Sequence, residues 1–297
     1  KFYPTQDLVT GPDIIFFWVA RMIMAGLYFC DKIPFSNVYF SGIIRDSEGR
    51  KMSKSLGNSP DPLDLFDKYG ADAVRTSILL IAPQGLDILY SEERLEQGRN
   101  FMNKVWNSAR FILMNIDQKF TNDKLSDYNL DLIDTWILSK LNDLILKVNI
   151  AYSEYKLNEA IKLVYDFTRS DYCDWYIEFS KTRFYGENKD DRIVAQIVSI
   201  HVFRNILKLL HPYCPYISEE LWSNFKFESE SLLITSYWPN VDSEKINKNV
   251  ENDAQIIMDI ISSIRNIRAS LNIAPNKEAN LFIRGDNKKC NFIVLNQ

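Results

Sequence analysis

The chain has 297 residues, of which 46% are hydrophobic and 25% charged, and a formal net charge of -4. Such a composition excludes general disorder and suffices for about two domains with buried cores. The slightly acidic balance excludes a protein that coats nucleic acid nonspecifically, because phosphate binding rests on Lys and Arg, although local basic faces remain compatible with it.

The opening Lys1-Phe2-Tyr3-Pro4 shows neither an initiator Met nor a signal peptide and reads as internal to something longer. The longest apolar stretches, residues 14–20 and 22–30, flank Arg21. Each is short of the roughly 20 residues that cross a membrane, so no transmembrane segment is expected. Cys30, Cys173, Cys214 and Cys290 form no C-x-x-C pair, and His201 and His211 are the only imidazoles. Reduced thiols, a cytoplasmic setting and no metal site follow as expectations.

Residues 1 to about 90 mix strand and helix signals. Thr10-Gly11-Pro12-Asp13 reads as a helix cap with Pro at the start and a carboxylate in the first turn. The following Ile14-Ile15-Phe16-Phe17-Trp18-Val19-Ala20 is apolar nearly all round and predicts a buried helix. Ile14 and Trp18 are four apart and share a face, as plain core or as the lining of a pocket. Val38 to Ile44 is a β-branched and aromatic run that suits a buried strand. A loop over 45–59 follows, then Asp61 as a cap with Pro62 and Asp64 behind it, a stop at Gly70 and a second helix over 71–81. Strand, loop and capped helix in that order suit an α/β nucleotide-binding fold, with ligands at the carboxyl ends of parallel strands.

From about 91 to 225 the chain reads as helix after helix. Ile133, Ile137, Leu141, Leu144 and Val148 share one face; so do Ile193, Ile197, Ile200, Arg204 and Leu207, interrupted by a charge. Pro212 and Pro215 break the run before Ser218-Glu219-Glu220-Leu221-Trp222 resumes it. Beyond Trp238 come a polar linker, a helix over about 251–271 and strand-like runs at 279–283 and 292–295. The expected fold is α/β followed by all-α, divided at 1–90, 91–240 and 241–297.

The segment from Arg45 to Asn58 places Lys51 and Lys54 in Lys51-Met52-Ser53-Lys54-Ser55, between Gly49 and Gly57. Mobile ammonium groups can meet charge that develops on a departing pyrophosphate. At about 4 Å and an effective dielectric near 20, each contact involves roughly 4 kcal/mol of Coulomb energy before desolvation. The alternative is a solvated basic loop. This pentapeptide resembles the second signature motif of class I aminoacyl-tRNA synthetases and lacks the G-K-[ST] end of a Walker loop. Gly11 to Met22 resembles the valine enzymes of that class in particular.

The resemblance covers residues 2 to about 240 and, more loosely, to about 285. It implies the second half of a Rossmann-like catalytic domain followed by a helical anticodon-binding bundle. Lys51 and Lys54, with Ser53, would serve catalysis by stabilising pyrophosphate. Gly11, Asp13, Ile43, Ile44 and Met52 would bind ATP and the adenylate, and Ile14 and Trp18 would line the valine pocket. An apolar pocket of that kind rejects a methylene by only about 1–3 kcal/mol, a limit for which synthetases of this class are themselves the standard instances. A separate editing domain is therefore implied, and nothing in these 297 residues can supply it.

Glu96 to Phe111 places Arg99, Asn103, Trp106 and Arg110 on one helical side. Cations interleaved with amides and aromatics suit single-stranded RNA; a junction helix with solvated arginines is the alternative. The resemblance makes Arg110 and Phe111 candidates for anticodon contact, with Arg94, Arg99, Asn103 and Lys104 nearby. The aromatics of 170–178 and 211–222 read as packing, and both histidines as structural.

The first signature motif of the class, a His-x-x-His element, is absent. The implied parent is a monomeric valine–tRNA ligase acting on valine, tRNA(Val) and ATP with Mg²⁺, with no tightly bound cofactor and no membrane. This chain alone is expected to be inactive. The rival readings are an isoleucine enzyme of the same class and a non-catalytic tRNA-binding module.

Overall fold

A computed structural model describes residues 2–82, 85–116, 125–227, 229–274 and 277–278. The chain opens with strand β1 (Thr5–Thr10), a helical span Pro12–Cys30 and strand β2 (Phe35–Phe40). β1 and β2 pair in parallel from Thr5 opposite Phe35 to Thr10 opposite Phe40, which makes a β-helix-β unit. β1 is short, has no aromatic residue and is interrupted by Gln6 and Asp7, and it had no counterpart in the sequence reading.

The Val38–Ile44 run is two strands. After β2 the chain changes partner, and β3 (Ile44–Arg45) pairs in parallel with β4 (Ile88–Leu89). The physical cause is Gly42: a Cβ there would lie 1.8 Å from the Leu86 carbonyl oxygen, so only glycine lets the two backbones pass. Residues 38–44 are all half-buried and not the buried strand expected; the buried residue of β2 is Phe35, ahead of that run.

The span Pro12–Cys30 also departs from expectation. It starts as a 3₁₀ turn (Pro12–Ile14), continues as a π-helix (Ile15–Val19) and becomes regular in α1 (Ala20–Cys30). It runs on through Arg21, and it is one of two described helices long and apolar enough to cross a membrane; the other, Lys189–Leu210, is a core helix. The first is not buried here. Phe16 is 85% exposed and Tyr28 83%, while Val19 and Gly26 face inward. An all-round apolar helix needs neighbours on every side, and the described residues cover one side.

Asp61 caps α2 (Pro62–Tyr69) by accepting the Leu63 N–H at 2.9 Å, and Gly70 ends it with φ of +89° before α3 (Ala71–Ile81). These helices lie against the bundle: Ala73 and Val74 enter its core, and Thr76 packs its hydroxyl on the Cys214 thiol.

The bundle comprises α4 (Glu92–Met114), α5 (Leu132–Ser153), α6 (Leu157–Asp166), a π-helical stretch (Phe167–Tyr176), α7 (Ile177–Phe184), α8 (Lys189–Leu210) and α9 (Pro215–Phe225). α10 (Lys248–Ser270) lies on α5. On α5, Ile137, Leu141, Leu144 and Val148 are buried and Ile133 half-buried, as the period requires. α8 is buried on most sides; of the face read from spacing, Ile200, Arg204 and Leu207 are buried and Ile193 and Ile197 only half-buried, so its core is not confined to that face. Arg204, the charge in that face, is buried between the rings of Trp222 and Phe227 at 4.6 and 3.9 Å. Both Glu230 oxygens accept from its Nη2, at 2.6 and 2.7 Å, and this pairing is what permits burial of the charge. Tyr172, Tyr176, Tyr213 and Trp222 are buried packing groups, whereas Tyr216 is 70% exposed. The expected strands at 279–283 and 292–295 lie outside the described residues.

Candidate functional site

Parallel strands end together, and the carboxyl ends of β1 and β2 bring Thr10 and Phe40 level. Ser41 continues the junction by donating its N–H to the Thr10 carbonyl at 2.9 Å. Gly11 is the N-cap of the helical span, with open space where a Cβ would stand. Thr10 does not cap it. Its hydroxyl instead accepts the Trp18 indole N–H at 2.8 Å, which fixes the indole over the strand ends. Ile14 and Trp18 are 42% and 41% exposed, so the described residues do not bury them.

The lysine loop meets this platform through Lys51, whose ammonium is 3.0 Å from the Asp13 carboxylate in the first turn. Lys54 opens a 3₁₀ turn (Lys54–Leu56) and is exposed; among the described residues its ammonium meets no carboxylate. Ser53 caps that turn by accepting the Leu56 N–H at 3.3 Å, and Met52 is half-buried.

The loop is braced more firmly than its composition suggests. Arg45 pairs with Lys51 in an antiparallel bridge. Asp46, buried within the loop, accepts from the Arg50 N–H and Nε, both at 2.8 Å, from the Glu48 N–H at 3.1 Å and from Asn58 Nδ2 at 2.9 Å. The Asn58 bond, with help from Arg50, holds the Asp46 carboxyl well below the usual carboxylate range. Asn58 returns its side-chain oxygen to the Ser53 N–H at 2.9 Å, and Gly57 makes the turn between with φ of +65°. Asp46 and Asn58 were missed because they face the loop's own backbone; a D-x-x-G turn before a basic run was the available signal.

Ile43 and Ile44, both half-buried, stand beside this loop. Asp87 accepts the Ile43 N–H at 3.0 Å and pairs closely with Arg45 Nε. This residue was also missed, since it lies 44 positions from Ile43. The strand ends, helix N-terminus and lysine loop therefore offer backbone N–H groups, a carboxylate and the Lys51 ammonium around one edge, with Lys54 exposed three residues along the loop, a setting able to hold a nucleotide triphosphate.

The second group of candidates lies on α4. Arg94, Arg99, Asn103 and Arg110 are exposed and Trp106 is 46% exposed, so the stripe read from spacing faces outward. Lys104 is bound to Asp174, 2.5 Å away, and Phe111 is half-buried edge-on to Phe184 at 5.5 Å. Arg99 makes a long contact of 3.8 Å with Glu96. His201 is pushed down to about 4 by burial, then by Lys245, Arg204 and Lys208. His211 shares a 2.8 Å hydrogen bond with Ser218. Neither histidine joins the strand-end site.

A family model described as the anticodon-binding domain of tRNA ligase matches residues 134–283, and one described as tRNA synthetases class I (I, L, M and V) matches residues 1–91. The chain belongs to the class I tRNA ligases. It is 46% identical to the valine–tRNA ligase of Fusobacterium nucleatum over 97% of its own length and 33% of that protein's. The valine–tRNA ligase of Clostridium tetani is also 46% identical, over 95% and 32%. That of Geobacillus stearothermophilus is 42% identical, over 96% and 32%. The chain thus spans about a third of the length of these class I relatives.

Solved class I structures share its fold. The LeuRS of Agrobacterium radiobacter K84, in a ternary complex with tRNA and LeuAMS, superposes with a TM-score of 0.64 at 23% identity, covering 82% of this chain and 29% of that one. The methionyl-tRNA synthetase of Mycobacterium tuberculosis, in complex with methionyl-adenylate, gives 0.59 at 23% identity, covering 74% and 44%.

Proposed function

We propose that the chain supplies part of the adenylate site and the anticodon-binding bundle of a valine–tRNA ligase. The observation that carries this reading is the 3.0 Å contact of Lys51 with Asp13, which sets the lysine loop against the helix N-terminus at the ends of parallel strands. In the reaction, the valine carboxylate attacks the α-phosphorus of ATP and pyrophosphate leaves; a terminal ribose hydroxyl of tRNA(Val) then attacks the acyl carbon of the adenylate and AMP leaves. ATP enters with Mg²⁺ as substrate.

The residues divide the work by position. The ammoniums of Lys51 and Lys54 meet charge on the departing pyrophosphate, Ser53 shapes the turn between them, and Met52 lies on the adenylate side. Asp13 takes the ribose, Gly11 leaves room for close approach, and the backbone of Ile43 and Ile44 faces the adenine. Ile14 and Trp18 line the valine pocket, with the indole orientation set by Thr10. On the bundle, Arg110, Arg99, Asn103 and Arg94 meet the tRNA backbone and anticodon; Lys104 and Phe111 support that face from beneath. Residues 1–90 belong to the catalytic part, 91–240 to the bundle and 241–297 to a further small segment, in a cytoplasmic monomer.

Valine-dependent exchange of pyrophosphate into ATP by the full-length protein tests this, with loss expected on Lys54→Ala. Exchange that depends on isoleucine would favour the isoleucine reading. Binding of tRNA(Val) without any exchange would favour a non-catalytic module. The 297-residue chain by itself has no His-x-x-His element and is expected to give no exchange.

A further inference from the structure

Asp87 stands where the lysine loop and the segment proposed to face adenine are both anchored. One oxygen accepts the Ile43 N–H at 3.0 Å, and the other takes Arg45 Nε in a close ion pair. Arg45 passes the constraint on: its Nη1 donates to the Gly49 carbonyl at 3.3 Å, and its backbone bridges to Lys51. The surrounding backbone is thinly held. β3 and β4 are two residues each, joined through Ile88 N–H to the Ile43 carbonyl at 2.9 Å and Tyr90 N–H to the Arg45 carbonyl at 2.8 Å. So short a ladder does not hold its register alone, and a charge-assisted side-chain clamp decides it.

We propose that Asp87 is a positioning residue for ATP: it sets the adenine-facing backbone at Ile43 and, through Arg45, the stem of the lysine loop. The inference rests on the adenylate-forming reading above. The Trp18 indole of the proposed valine pocket is held by a different bond, to the Thr10 hydroxyl at 2.8 Å, in which Asp87 takes no part. Asp87 is therefore a determinant of ATP and not of valine.

The test compares Asp87→Ala and Asp87→Asn with the unsubstituted full-length protein in valine-dependent pyrophosphate exchange, alongside trypsin cleavage after Lys51 and Lys54. Loss of a charge-assisted clamp is expected to raise KM for ATP about tenfold in Asp87→Ala and to leave KM for valine unchanged. Asp87→Asn, which keeps an oxygen for the Ile43 N–H, is expected to fall between. Cleavage in the loop should quicken in the same order, with an unchanged thermal midpoint. An unchanged KM for ATP overturns the proposal, as does a parallel rise in both KM values with a lowered midpoint, which marks a merely structural role. Should the unsubstituted protein give no exchange, the adenylate reading fails, and the loop cleavage alone decides whether Asp87 holds the loop.

Discussion

The Lys51 ammonium lies 3.0 Å from the Asp13 carboxylate, with both side chains more than half exposed. An exposed pair of this kind contributes at most about 1 kcal/mol, so it can exchange partners readily when phosphates arrive. The two groups belong to elements 38 residues apart, and their meeting defines the candidate site.

Because Lys54 meets no carboxylate among the described residues, its removal is expected to leave stability unchanged. Pyrophosphate exchange should fall on the order of 10²-fold in Lys54→Ala, the usual loss for one preorganised donor to developing charge. Equilibrium urea unfolding and exchange kinetics on the same preparations separate the two effects. Retained exchange in Lys54→Ala would remove the loop from catalysis.

Thr10→Val deprives the Trp18 indole of its acceptor at 2.8 Å. An indole N–H left half-buried without a partner costs about 1 kcal/mol. The expected outcome is a several-fold rise in KM for valine with KM for ATP unaltered, and Trp18→Phe should reproduce it. Equal changes in both constants would show that the bond serves the whole platform.

On α4, Arg110→Ala should weaken tRNA(Val) binding and lower the salt slope by about 1, as loss of one phosphate contact does. Lys104→Ala should do less, since Asp174 already holds that ammonium. Filter binding across a salt series reads both. A larger effect at Lys104 would reverse the assignment of the exposed stripe.

Arg183 joins three carboxylates at one end of the bundle: Asp131 at 3.1 Å, Asp134 at 2.8 Å and Asp191 at 2.6 Å. Asp134 is fully buried and also accepts the Tyr176 hydroxyl at 2.9 Å. Arg183→Met strands that charge and should cost about 3–5 kcal/mol in urea unfolding. A loss below 1 kcal/mol would mean that the carboxylates find water instead.

The Asp46 carboxyl is depressed in the folded loop, chiefly by Asn58. A depressed carboxyl contributes stability above its unfolded value, near about 4, and loses it only as pH falls through the lower folded value. The Asn58 side-chain amide resonances should therefore persist from neutrality to below about pH 4 and collapse in stronger acid. Asp46→Asn should displace them at neutral pH already. Collapse between pH 5 and 6 would contradict the hydrogen-bonded arrangement.

What could be read from the sequence alone was local. The Asp61 cap, the stop at Gly70, the α3 range, the α5 stripe and the outward stripe on α4 are all set by bonds or faces within about four residues, so spacing and residue type suffice to find them. The pentapeptide at Lys51 and the apolar run after Gly11 likewise carried the resemblance to class I synthetases, whose family model matches residues 1–91. The tertiary structure decided the rest. It showed β1, the switch of partner at Gly42, the Thr10 bond to Trp18, the exposure of the Pro12–Cys30 span and the clamp at Asp87. Each depends on which distant backbone or side chain arrives at a given atom, and no periodicity records a hydrogen bond between residues 43 and 87.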